Sequence, residues 1–96
     1  MLLQELLSKK NDILEIVNQN NGLYVSVFGS TVDGNSNLKS DVDFLIKFND
    51  DASLFDLVEI KLQLEELLDV KVDVLSEDGL KYNEIGRNIK KNAIPL

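Results

Sequence analysis

A chain of 96 residues holds one small core and has no room for a catalytic domain plus a separate substrate domain, so residues 1–96 read as a single domain. Its 44% apolar and 28% charged residues, with one proline, are those of a globular fold and exclude a disordered or fibrous chain. Ten basic against seventeen acidic residues give a formal charge of −7, the wrong sign for gripping phosphates, so no direct nucleic-acid binding is expected. Neither cysteine nor histidine occurs. That excludes disulfides, thiol nucleophiles, zinc fingers and Ser–His triads, and leaves carboxylates as the metal ligands. No apolar run approaches the roughly 20 residues of a membrane span, and Glu5 interrupts the N-terminal leucines. A cytoplasmic setting without a membrane partner is expected.

In chain order, Leu2, Leu3, Leu6, Leu7, Ile13, Leu14, Ile16 and Val17 fall on one side at helical period. They predict a first helix, with Lys10 caught in the apolar arc and obliged to snorkel. Asn20-Asn21-Gly22 ends it with residues that accept left-handed geometry. Tyr24–Phe28 reads as a short strand, followed by Gly29-Ser30 and a turn-prone stretch from Asp33 to Ser40. Val42–Phe48 alternates: Val42, Phe44, Ile46 and Phe48 point one way, Asp41, Asp43, Leu45 and Lys47 the other. Ser53 with Asp56 three residues on resembles a capping box opening a helix over Leu54–Leu68. Its narrow polar stripe of Asp56, Glu59, Gln63 and Glu66 predicts that the rest is largely buried. Val70–Leu75 reads as a third strand. Ser76 is placed to cap a last helix that runs to about Lys91, with Gly86 a weak point inside it, and Pro95 marks the end. The pattern predicts an α/β fold. Tyr24 and Tyr82 read as packing residues with wet hydroxyls.

Three aspartates break the apolar logic of the strands: Asp41 and Asp43 on the second and Asp73 on the third. Side chains at i and i+2 leave the same face about 7 Å apart. If the third strand pairs beside the second, Asp73 joins them. Carboxylates held so close repel one another unless a cation sits among them. A few hard oxygen ligands suit Mg²⁺ or Mn²⁺, which completes its shell with water and substrate phosphate. Gly29-Ser30 supplies the complementary half, because a glycine directly after a strand lets a phosphate approach the backbone. In such a site an in-line phosphoryl displacement needs its attacking hydroxyl deprotonated, a task within reach of Asp73.

Gly29-Ser30, ten intervening residues and then Asp41-Val42-Asp43 resembles the GS-x10-DxD signature of the polymerase-β-like nucleotidyltransferase superfamily. Asp73 in Lys71-Val72-Asp73-Val74 stands where that superfamily has its third carboxylate. Over nearly its whole length the chain is similar to minimal nucleotidyltransferase (MNT) domain proteins. The resemblance implies a small mixed β-sheet with helices packed mainly on one face, ATP as nucleotide donor and Mg²⁺ as cofactor. It implies transfer of AMP to an acceptor hydroxyl with release of pyrophosphate. It further implies an antitoxin role, in which a tyrosine of a HEPN-domain toxin is adenylylated within a hetero-oligomer. By analogy Ser30 contacts phosphate, Asp41 and Asp43 hold the metal, and Asp73 completes the site and acts as base.

One departure from the pattern stands out. Many relatives follow Gly-Ser with a basic residue, whereas this chain reads Gly29-Ser30-Thr31-Val32-Asp33-Gly34. Lys39 and Lys47 are the cations that could replace it. The alternative reading from another class is a catalytically silent module that neutralises a toxin by covering it.

Overall fold

A computed structural model describes residues 2–29, 41–79 and 84–96. Helix α1 (Leu3–Leu7) and helix α2 (Lys10–Gln19) lead into strand β1 (Gly22–Phe28). Strand β2 (Val42–Phe48), helix α3 (Leu54–Leu68) and strand β3 (Val72–Ser76) follow. A short 3-10 turn (Glu77–Gly79), helix α4 (Glu84–Asn92) and the two-residue strand β4 (Ile94–Pro95) complete the chain.

The sheet order is β3-β2-β1-β4, with β1 antiparallel to both β2 and β4, and β2 parallel to β3. A parallel pair needs a crossover, and α3 provides it. One face of the sheet presents Val25, Val27, Val42, Phe44, Ile46, Phe48 and Val72 to Leu6 of α1, Ile13 and Val17 of α2, and Ile60, Leu64 and Leu68 of α3. The expected mixed sheet with helices over one face is thus present. Each buried aliphatic or aromatic side chain contributes about 1.5–3 kcal/mol by leaving water. The alternation of β2 therefore fixes which of its faces is left to carry Asp43.

The leading apolar segment is two helices where its period predicts one. The Ser8 hydroxyl donates to the Glu5 carbonyl at 2.6 Å, and the Lys9 amide bonds the Leu6 carbonyl in a tighter turn. The break shifts the helical phase. Lys10 becomes exposed, and Lys9 is the half-buried cation, its ammonium donating to the Leu67 carbonyl at 3.2 Å. Helix α2 ends as expected, with Asn21 in the left-handed region at φ 64°.

Helix α3 spans the predicted residues, but it is not largely buried. Leu54, Phe55, Val58 and Leu62 are exposed, because the apolar residues of this helix extend well beyond the face that Ile60, Leu64 and Leu68 turn to the core. Its C-cap, Asp69, takes a left-handed φ of 55°. The Glu65 carboxylate accepts the Val72 amide at 3.1 Å, at the outer edge of β3. That bond holds the carboxyl below its usual range. The last helix starts later than Ser76 predicts. Ser76 closes β3, Glu77–Gly79 form the 3-10 turn, and α4 begins at Glu84. Pro95, read as a terminator, lies in β4, and Ser26 is its register partner.

A polar knot joins the start of α3 to the sheet. Asp56 accepts the Ser53 amide at 2.9 Å and the Asn21 side-chain amide at 3.0 Å. The Asn49 side chain donates to Asn21 Oδ1 at 3.3 Å, and the Asn49 amide bonds the Asn21 carbonyl at 3.0 Å. The bonds from the Ser53 amide and the Asn21 side chain hold the Asp56 carboxyl below the ordinary carboxylate range. Their stabilisation is complete above the unfolded pKa and is lost as pH falls through the depressed folded value. Asp56→Asn is therefore expected to lower the melting temperature by a few degrees at pH 7, with the gap to the parent closing between about pH 5 and pH 2. Thermal melts across that range check it.

Candidate active site

The strands bring the sequence-predicted carboxylates together. Asp43 and Asp73 are direct register partners across the parallel β2–β3 pair, and Phe28 is the partner of Asp43 on β1. Partners in register project to the same face, so Phe28, Asp43 and Asp73 form a row on the side of the sheet opposite α1, α2 and α3. The next row along is Ser26, Leu45 and Leu75. Leu45 is buried but lies outside the core beneath the helices. Asp41, exposed just before β2, adds a third charge.

Asp43 is the most enclosed of the three, half-buried between Phe28 and Asp73. Burial, then the charges of Asp73 and Asp41, and a hydrogen bond with Asp73 push its carboxyl above the usual range. Such a group resists ionisation until a cation offsets its neighbours.

Gly29 completes the described part of the site. It has φ +79°, a conformation that L side chains rarely adopt. A Cβ placed there would strike Oδ2 of Asp43, so the backbone leaving β1 passes directly over that carboxylate. Ser30, the predicted phosphate contact, and Lys39 lie outside the described residues. Tyr82 does as well.

No group of three or more carboxylates among the described residues forms a ready-made ion cage. The donor set nevertheless suits a divalent cation that keeps much of its own water. The oxygens are hard, Asp43 and Asp73 face each other across the strand pair, and the absence of a side chain at Gly29 leaves room for the Asp43 carboxylate itself. Lys47 does not replace the missing basic residue. It lies four residues along β2 from Asp43, about 13 Å, and forms an ion pair with Asp78. Tyr24 is exposed, and its hydroxyl is bound to Glu77, which itself pairs with Lys90 at 2.9 Å.

Sequence reasoning missed two supporting residues. Phe28 lies in the predicted strand, but its place beside Asp43 depends on an antiparallel register that no local pattern displays. Glu65 supports Asp73 indirectly, since it holds the amide of the preceding residue, Val72. A lone glutamate near the end of a helix carries no signal for that.

Residues 10–96 match the nucleotidyltransferase domain family, and the chain belongs to it. It is 38% identical over 85 residues to a candidate protein adenylyltransferase of Methanocaldococcus jannaschii, covering 88% of this chain and 86% of the relative. The fold is similar to the solved structure of a candidate minimal nucleotidyltransferase, with TM-score 0.87, 35% identity, and coverage of 100% of this chain and 97% of the other. It also resembles a toxin–antitoxin crystal structure with AMP-PNP, at TM-score 0.74 and 19% identity over 90% of this chain and 70% of the other. That last likeness is one of fold. A nucleotide is the substrate such a domain handles. No helix among the described residues is long and apolar enough to cross a membrane.

The raised carboxyl of Asp43 has a defined consequence for stability. A group whose folded pKa lies above its unfolded value adds stability at acid pH that is lost as pH rises through the folded pKa. At pH 8 without divalent metal, Asp43→Asn is therefore expected to melt a few degrees above the parent, and at acid pH the difference should vanish. Millimolar Mg²⁺ should raise the parent's melting temperature at pH 8 and leave the variant's unchanged. Scanning calorimetry of both proteins with and without the ion measures this.

Proposed function

We propose that this chain, as a single nucleotidyltransferase domain over residues 1–96, is an ATP-dependent protein adenylyltransferase. In this reading it is the cytoplasmic antitoxin of a HEPN-domain toxin and modifies a tyrosine hydroxyl of that partner. The observation that carries the reading is the side-by-side placement of Asp43 and Asp73, with Asp41 adjacent and Gly29 pressed against Asp43. The protein adenylyltransferase name of the 38% identical relative supports the reaction class. The toxin–antitoxin structure of the same fold supports the setting.

Asp41, Asp43 and Asp73 would hold Mg²⁺, with Mn²⁺ as the alternative ion. When bound, the ion supplies positive charge that neutralises the triphosphate and the departing pyrophosphate. Gly29, whose backbone is approachable, and Ser30 after it bind the phosphates. Asp73 is the more exposed of the paired carboxylates and faces an incoming hydroxyl, whose proton it accepts. The acceptor oxygen bonds to the α-phosphorus as the bond from that phosphorus to the bridging oxygen breaks. AMP is left on the acceptor, and pyrophosphate departs.

Incubating the chain with a cognate HEPN-domain toxin, α-labelled ATP and Mg²⁺ is expected to label the toxin. Asp41→Ala/Asp43→Ala should lower incorporation by about 100-fold or more, in the range found when groups that stabilise charge in the transition state are removed. An unlabelled toxin that is still neutralised by this variant would replace the reading with occlusion by a catalytically silent module.

A further inference from the structure

The exposed side of α3 carries a feature that the acidic row does not use. Leu54, Val58 and Leu62 follow one another at four-residue spacing, 74%, 44% and 55% exposed, and Phe55 beside them is 86% exposed. Residues at this spacing share one helix face, and this face points away from Ile60, Leu64 and Leu68, which are buried in the core. Single exposed apolar residues are ordinary on a surface, but four of them on one helix face, one an 86% exposed Phe55, point to an interaction site.

Charge around the patch is one-sided. Glu59 and Glu66 are exposed along one flank. On the other flank Lys61 is paired with Glu65 at 3.5 Å. At the N-terminal end the patch runs through Leu54 into an open cleft of about 450 Å³. Phe48, Ala52 and Leu57 form the cleft's apolar side, with Asp50 and Asp78 among its lining. Asp78 is already paired with Lys47, so a long basic side chain that lays its stem on the apolar wall brings its charge to Asp50.

We infer that this face of α3 docks a basic amphipathic helix of the protein partner, an apolar seam flanked by lysine or arginine. Such recognition lays the seam of one helix along the apolar stripe of another. A second copy of this chain is a poor occupant. It would set Glu59 and Glu66 against their own kind and bring together two molecules of charge −7. The inference rests on the adenylyltransferase reading only in naming the occupant as the protein to be modified. The docking face and the acidic row lie on opposite sides of the sheet, so the two can be tested separately.

The probe is a synthetic amphipathic helix of about 18 residues with a leucine seam and lysine flanks. A twin peptide carries glutamate in place of lysine. Fluorescence anisotropy is expected to show saturable binding of the lysine peptide, weakening as salt is raised, and binding of the glutamate twin about tenfold weaker or less. Phe55→Ser/Leu62→Ser and, separately, Glu59→Lys/Glu66→Lys should each weaken binding about tenfold while circular dichroism stays unchanged, since all four side chains are exposed. Asp41→Asn/Asp43→Asn should bind the peptide as the parent does, so a failure of catalysis would leave this inference standing. Equal affinity of the parent and Phe55→Ser/Leu62→Ser for the lysine peptide, or no binding at all, would overturn it. A parent that sediments as a dimer and becomes monomeric in Phe55→Ser/Leu62→Ser would overturn it in favour of self-association.

Discussion

The site depends on the parallel pairing of β2 with β3. A parallel neighbour cannot be reached by a tight turn, so the chain must cross the sheet through α3 before returning beside β2. The return is in a register that sets Asp73 directly against Asp43. A slip of one residue would bring Val72 or Val74 opposite Asp43 and turn the third carboxylate into the helix layer. Register here is enforced from the apolar side. Val42, Phe44 and Val72 are buried under the helices, and their burial in the core obliges the intervening aspartates to meet on the other face. Hydrophobic packing thus creates an electrostatic conflict, which the native fold sustains because its core is worth more than the repulsion costs.

Helices α1, α2 and α3 and the opposite face of the sheet divide the work. The helix layer supplies the cohesion, while the rows Phe28-Asp43-Asp73 and Ser26-Leu45-Leu75 grade from charged to apolar along the strands. Farther along, Lys47 is matched by Asp78 and Lys90 by Glu77, so these cations are occupied with structural partners. Neither Asp73 nor Asp41 takes part in those two pairs. Gly29 keeps side-chain bulk away from Asp43.

Much of this was legible in the sequence, for identifiable reasons. The strict alternation of Val42–Phe48 placed β2 to the residue, and Ser53 with Asp56 placed the start of α3, because both signals are local. Asp41, just before β2, and Asp43 on it are out of place among the apolar residues Val42, Phe44 and Leu45 around them. Long-range facts were not legible. That Asn21 and Asn49 converge on Asp56's end of the fold, that Phe28 adjoins Asp43, and that Glu65 reaches Val72 all depend on register between distant segments. The break at Ser8 and Lys9 was hidden because the apolar residues on either side keep a helical period, and only the Ser8 hydroxyl competing for the Glu5 carbonyl interrupts it. The exposure of Leu54, Phe55, Val58 and Leu62 is not legible in the sequence, because apolar character alone does not say whether a neighbour exists to cover it.

The bond from the Val72 amide to Glu65 also bears on how this sheet meets other molecules. As the rim strand, β3 turns alternate amides outward, and such amides are templates on which a foreign strand can grow. Here the first of them is already engaged by a side chain reaching over from the crossover helix. An intruding peptide would have to evict a carboxylate and then lie alongside its charge. One glutamate thereby blunts that stretch of the rim against fibril-like accretion, at the strand whose straightness the acidic pair requires.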